Sequence, residues 1–402
     1  MAPPPDPTLQ PPRRKRWIPV SLKIVVALLA IVGFVSGREA LRMYQQHLAL
    51  QEIEQAGGRQ YSEGGGPEWL RSWLGNRWMR FFDVVYVVDI DSRFATDECL
   101  AHIDSLTSLT SLSLSRTQIT DNGLANLSAL TRLWYLTLDG TRVTDAGVAS
   151  LKNLTSLHEL YLDRTEVTDA GLAHFAGLVK LKRLSLDKTP VADDGLRFLR
   201  QMQDLSYLSL AGTKVTGPGI ADLQHLSSLE DLRLAGSQVT DAGLFHLPGL
   251  TQLERLTLDR TAITDAGLEF LPAMKNLSIL SLNGTAISDA GLAHLRQVTT
   301  LKELSLENTE VTDLGLSYLA GHPNLRFLSL DGTHITDAGL AHLHELPQLG
   351  FLSLSQTAIT NRGLTHLHGL TGLGTLYLSY TPVTAAGIHQ LKQARPGLNV
   401  SQ

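Results

Sequence analysis

A 24-residue period, kept without insertion over most of the chain, constrains this sequence more than any other feature in it. Thr117, Thr141, Thr165, Thr189 and Thr213 stand 24 apart, and the series continues through Thr261, Thr285, Thr309, Thr333, Thr357 and Thr381, with Ser237 as the one substitution. Six residues after each of these twelve positions stands a glycine, from Gly123 to Gly387. Five and three residues before each stand leucines, such as Leu112 and Leu114, or Leu376 and Leu378. A fixed period of this size is the mark of a solenoid, in which each unit touches only its neighbours and the whole presents one long surface.

One unit, Leu157 to Lys180, reads LHELYLDRTEVTDAGLAHFAGLVK. Leu160 and Leu162 alternate with Glu159, Tyr161 and Asp163, the period of a half-buried strand. Val167, two residues after the threonine, is Val or Ile in all twelve units. Thr168-Asp169 then opens a short helix: a hydroxyl caps free amides and a carboxylate suits the positive end of the dipole. Leu172, Phe175 and Leu178 form one apolar face at three-residue spacing. Each unit is therefore strand, turn, helix and return loop. None can bury its apolar side alone, so stacked units share one continuous core.

The pattern LxxLxLxxTxV/ITDAGLxxLxxL resembles the leucine-rich repeat, and within that family the 24-residue bacterial type, with Thr where many relatives carry Asn. The resemblance covers residues 83–402. It implies an α/β fold, a leucine-rich-repeat solenoid with a curved, concave parallel sheet and convex helices. A degenerate first unit precedes the twelve and brings the number to about 13 repeats: Val88 and Ile90 hold the leucine positions, Thr96-Asp97 matches, and Cys99 replaces the glycine. Terminal units are expected to be atypical because they cap the core. At about 4.8 Å per strand the concave strip is roughly 60 Å long. The threonine hydroxyls are expected to bond backbone groups at the strand exits. The glycines serve either a special backbone angle or close packing.

The N-terminus differs in kind. Residues 1–16 are proline-rich and end in Arg13-Arg14-Lys15-Arg16, a basic tail read as cytoplasmic. Residues 17–37 are largely apolar, with Lys23 the only charge, and are long enough to span a bilayer as a signal anchor. The basic cluster before them places the N-terminus inside and the repeats outside the cytoplasm, in a single-pass membrane protein. The rival is a cleaved signal peptide, with Val35-Ser36-Gly37 as the cleavage site and a secreted product. Residues 38–66 read as a juxtamembrane helix and linker punctuated by Gly57-Gly58 and Gly64-Gly65-Gly66-Pro67. Residues 67–92 read as an N-terminal cap, with Trp69, Trp73 and Trp78, and the first degenerate strand. Residues 93–402 form the solenoid. The net charge is −5; residues 1–37 hold five bases and one acid, so residues 38–402 carry −9, which argues against a nucleic-acid partner. One cysteine, Cys99, excludes a disulfide framework.

No nucleotide-binding glycine loop, zinc spacing or nucleophile elbow appears, so no enzyme activity, catalytic residue or cofactor is expected. Histidines recur nine residues after the signature position (His102, His174, His246, His294, His342 and His366), and His342/His366 and His344/His368 fall in neighbouring units. Other units place Asn126, Ser150, Asp222, Phe198, Phe270 or Tyr318 at the first of these positions, the variation of a half-exposed helix flank; no metal site is assigned.

The variable strand positions carry the functional expectation. Two residues before the signature position lie Asp139, Asp163, Asp187, Asp259, Glu307 and Asp331, with Asn283 in the same row. Carboxylates at strand spacing repel one another, which suits a cation or a basic ligand; the local alternative is that each bonds amides of the next turn. Phe327 and Phe351 share one position in successive units, with Tyr377 and Tyr380 one unit on, and Tyr161 belongs to a sparser group with Tyr135 and Tyr207. Exposed aromatics on a rigid sheet resemble binding hot spots. The expected function is a membrane-anchored, extracytoplasmic recognition module that binds a protein or peptide on its concave face. A passive envelope scaffold or adhesin and an intracellular adaptor are the alternatives.

Overall fold

The computed structural model describes residue 37, residues 41–64 and residues 83–402. The 17–37 segment, apart from Gly37, and the tryptophans of the 67–92 segment lie outside the described residues. Among the described residues no helix is long and apolar enough to cross a membrane.

Among the described residues, fifteen strands form one sheet in strict sequence order. The first, β1 (Arg59–Glu63), runs antiparallel to β2 (Val84–Asp89). From β2 onward every pairing is parallel and offset by one repeat, as in Leu160↔Leu184 and Leu184↔Leu208. The leucines at both signature strand positions are almost fully buried in all twelve units. Truncating one such leucine costs about 2–5 kcal/mol, because its neighbours in the stacked units cannot close the gap. The alternate strand residues face the concave side, and short helical turns cover the convex side.

Polar ladders run the length of the stack beside this apolar core. Each of the twelve signature hydroxyls donates to the carbonyl three residues earlier, as Thr165 Oγ1 does to Leu162 O at 2.7 Å and Ser237 Oγ to Leu234 O at 2.7 Å. A second ladder joins neighbouring units on the convex side. Asp145, the first residue of the helical turn Asp145–Val148, accepts from Thr168 N at 2.7 Å and from Thr168 Oγ1 at 2.6 Å. Thr168 in turn caps the turn Asp169–Leu172, accepting from Ala170 N at 3.2 Å. The signature Thr-Asp pair therefore starts a helix in its own unit and clamps it to the unit on either side.

At the N-terminal end of the described solenoid a helix covers the core. Residues 41–55 are helical and end at Gly57, whose φ of +80° suits a residue without a side chain. Ala49 and Ile53 of this helix are fully buried in the shared core. Gln46 Nε2 donates to Asp83 O at 2.6 Å, and Glu52 Oε1 lies 2.7 Å from His102 Nδ1. The stretch read from sequence as a juxtamembrane helix and linker thus packs against the first repeat and adds a strand to the sheet. At the other end, Asn399–Ser401 pairs with Thr375–Tyr377 and starts a further unit. Arg395 donates to Leu370 O, to Thr371 O at 3.1 Å and to Leu373 O at 3.0 Å, tying its unit to the return loop of the unit before it.

Candidate functional site

The concave strip is built from two side-chain rows on the strands and one at their exits. The exit row holds the predicted acids, and its geometry realises the local alternative. Asp139 Oδ1 accepts from Asp163 N at 2.9 Å; Asp163 Oδ1 accepts from Asp187 N at 2.9 Å and Ser185 Oγ at 2.5 Å; Asp187 Oδ1 accepts from Ala211 N at 2.9 Å and from Ser209 Oγ. The pattern resumes with Asp259, which accepts from Ser281 Oγ at 2.6 Å and Asn283 N at 2.9 Å. Asn283 holds the same two kinds of partner, Ser305 Oγ and Glu307 N, each at 2.7 Å. Glu307, one methylene longer, reaches only Ser329 Oγ at 2.8 Å, and Asp331 accepts from Ser353 Oγ at 2.5 Å and Ser355 N at 2.7 Å. Each acid joins its own unit to the next.

Burial raises two carboxyls of this row, Asp163 and Asp139. Asp163 is pushed up to about 6, first by desolvation and further by the neighbouring charges of Asp187 and Asp139. Asp139 is raised in the same direction, again by burial first. Next to the acids, Arg116, Arg164, Lys188 and Arg260 hold the left-handed backbone conformation, with φ between 53° and 59°. Acids and bases line a groove of about 470 Å³ that includes Asp89, Asp139, Asp163, Arg164 and Lys188. A second groove of about 670 Å³ continues past Asp187 to Asp259, Arg260 and Glu307. Among the described residues no group of three or more His, Cys, Asp or Glu side chains is arranged to hold a metal ion.

The predicted aromatic end is assembled by register. Phe327 and Phe351 are directly paired on adjacent strands, and their rings stack at 4.1 Å and 11°. Tyr377 joins them, its ring 5.4 Å from Phe351. All three rings face the concave side, where Tyr377 is 37% exposed. Tyr380 stands apart on a strand exit, 86% exposed, with φ of +58° and no ring contact with the stack among the described residues.

Tyr161 leads into a cluster that column-by-column reading of aromatics and acids missed. Its hydroxyl donates to Glu159 Oε2 at 2.9 Å and accepts from Arg183 Nε at 3.1 Å, and burial pushes that hydroxyl up to about 12. Tyr135 lies 5.7 Å from the Tyr161 ring. The Arg183 guanidinium sits 4.1 Å from the Tyr207 ring centre, and that of Arg233 sits 5.0 Å from the same ring. Arg233 is bound by both oxygens of Asp231 at 3.2 Å, and Arg255 approaches Asp231 at 3.5 Å. The available signal was charge in the strand rows: Glu159, Arg183, Asp231 and Arg255 share one position in nearby units.

A family model described as a leucine-rich repeat region matches residues 95–383. Among solved structures, the chain is similar to an internalin (inlF) of Listeria monocytogenes, with 25% identity, 83% of this chain and 93% of that chain covered, and a TM-score of 0.63. It is also similar in fold to the leucine-rich-repeat protein LIC12759 of Leptospira interrogans, with 18% identity, 76% and 88% coverage, and a TM-score of 0.50. No curated protein matches.

Proposed function

Because the chain belongs to the leucine-rich repeat family, whose fold is commonly a protein–protein interaction module, we propose that it recognises a protein or peptide on its concave face. The observation that carries this reading is the Phe327–Phe351–Tyr377 stack. Three rings held side by side on a rigid parallel sheet give a large apolar contact area that loses little conformational freedom on binding. The acid row adds charge along one edge of the same strip, while its structural bonds keep that edge fixed. The convex side, with its signature residues engaged between units, serves the stack itself.

The location proposed is extracytoplasmic, on a single membrane span at residues 17–37 with the N-terminus in the cytoplasm. Support comes from the apolar run and the Arg13–Arg16 cluster before it. The repeats would then follow the 24-residue bacterial type and act at the cell surface.

The test is partner capture with the immobilised full-length chain in mild detergent, beside a Phe327→Ala, Phe351→Ala, Tyr377→Ala variant of matched circular dichroism. A partner held by the parent and lost by the variant supports concave recognition and identifies the ligand. Equal capture by both counts against it and favours a passive scaffold. Protease accessibility of the repeats in intact cells tests the orientation.

A further inference from the structure

We infer that Arg183 is a preorganised anchor for a single carboxylate, an Asp or Glu side chain of the protein ligand. This inference rests on the concave-face reading above and names the chemistry of one contact within it.

Three observations converge on Arg183. Its side chain is held at two points: Nε donates to the Tyr161 hydroxyl at 3.1 Å, and the guanidinium lies 4.1 Å from the Tyr207 ring centre. Tyr207 is itself 9% exposed, so the support under the guanidinium is part of the packed sheet. Second, the two terminal nitrogens of Arg183 make no hydrogen bond among the described residues, although the side chain is only half-buried. Third, the other guanidinium groups of the cluster are already answered by Asp231, which binds Arg233 through both oxygens and lies 3.5 Å from Arg255. The nearby acid Glu159 is turned to the Tyr161 hydroxyl at 2.9 Å.

A guanidinium fixed in place with both terminal nitrogens free of hydrogen bonds binds a planar carboxylate through two parallel hydrogen bonds. Little side-chain freedom is left to lose on binding, which is where flexible surface arginines forfeit affinity. The surroundings select the charge of the ligand. Glu159, in the same strand row one unit earlier, interacts electrostatically with Arg183 and already offsets part of its charge. A monoanion meets less repulsion there than a phosphate dianion. The Tyr135 and Tyr161 rings, 5.7 Å apart beside the fork, offer faces to an aromatic neighbour of the acid.

The probe is the blocked peptide acetyl-Tyr-Glu-Tyr-amide, titrated into the full-length chain labelled with ¹⁵N-arginine, with the Arg183 Nε–H signal assigned by its loss in Arg183→Lys. A saturable shift of that signal is expected in the parent, and isothermal titration calorimetry is expected to give affinity at least tenfold weaker for acetyl-Tyr-Gln-Tyr-amide, for Arg183→Gln and for Arg183→Lys, which keeps the charge and loses the fork. Circular dichroism establishes that the variants fold alike. No saturable shift, equal binding of the glutamate and glutamine peptides, or unchanged affinity in Arg183→Gln would overturn the anchor. Tighter binding of acetyl-Tyr-phosphoserine-Tyr-amide than of the glutamate peptide would overturn the choice of a carboxylate. A captured partner that depends on Phe327 and Phe351 but ignores Arg183→Gln would sink the anchor and leave concave recognition standing.

Discussion

The carboxylate of Asp145 fills the space in which a Cβ on Gly171 would lie: its Oδ1 is 2.4 Å from that point. The same relation joins Asp121 to Gly147 at 2.3 Å and Asp313 to Gly339 at 2.3 Å. Gly171, Gly147 and Gly339 lack a positive φ, so packing and not backbone angle requires them. The aspartate can reach Thr168 of the next unit only because that unit's glycine leaves room beside it.

Gly171→Ala therefore forces apart a clamp that repeats through the stack. Overpacking of this kind costs about 1–3 kcal/mol. Asp145→Ala is expected to cost a similar amount by a different route, leaving Thr168 N without its acceptor. Because solenoids unfold in blocks, hydrogen exchange is the better measure than a single midpoint. Faster exchange confined to the units around Thr168 is expected; unchanged protection there would refute the clamp.

Both inter-unit ladders stop at one seam. Gly217 stands where the five units before it and the five after it have the clamping acid, so Thr240 N receives no carboxylate, and Ala211 stands in the exit row. A Cβ on Gly217 would lie 3.0 Å from Gly243 N, so the two units touch backbone to backbone. The seam keeps its strand bonds, such as Leu210 N to Arg233 O at 2.8 Å, and its leucines. With two or three inter-unit bonds missing at about 1 kcal/mol each, it is expected to open before its neighbours. Hydrogen exchange of the amides bridging 207–212 and 231–235 should be faster than at equivalent bridges elsewhere in the stack. Uniform protection across all seams would count against a weak point.

Asp163 sets a pH dependence. Its carboxyl is raised from the ordinary 3.8 to about 6, chiefly by burial. Between pH values of about 4 and 6 the unfolded chain has lost this proton while the folded chain keeps it, so stability falls as pH rises through that window and levels off above it. Asp163→Asn keeps an acceptor oxygen, as Asn283 does naturally in the same row. The variant is expected to flatten the decline and to be more stable above pH 7 by about 1 kcal/mol, allowing for partial exposure of the site. Melting profiles of parent and variant that run parallel from pH 4 to 8 would exclude this origin.

Arg395 holds the last turn by donating to three carbonyls on residues 370–373. Arg395→Ala leaves those acceptors to water and is expected to loosen the C-terminal unit by about 1–3 kcal/mol. Arg395→Lys should recover only part of this, since an ammonium cannot span the same acceptors as a planar fork. Limited proteolysis near residues 385–402 reports the effect; equal cleavage of all three chains would show that the end is held by other contacts.

Much of this architecture is legible in the sequence. The invariant spacing of Leu160, Leu162, Val167 and Leu172 within one unit named the strand, the helix and the buried faces, because burial periodicity is written into neighbouring residues. The signature hydroxyls behaved as expected for the same reason: Thr165 bonds Leu162, three residues away. Other roles depend on residues that meet only after stacking. Gly171 needs no Cβ because of Asp145, 26 positions earlier, and Asp163 bonds an amide 24 positions later. The helix at 41–55 looked like a spacer because the core it covers, with Ala49 and Ile53 inside it, exists only once the first repeat is in place. Arg183 carries no signal of its own in the sequence; parallel register sets it beside Tyr161 and Tyr207. A repeat determines what each unit is, since its residues are fixed by short-range burial. What the units do to one another, including which side chains remain free to bind, is decided by the register and spacing of the stacked sheet.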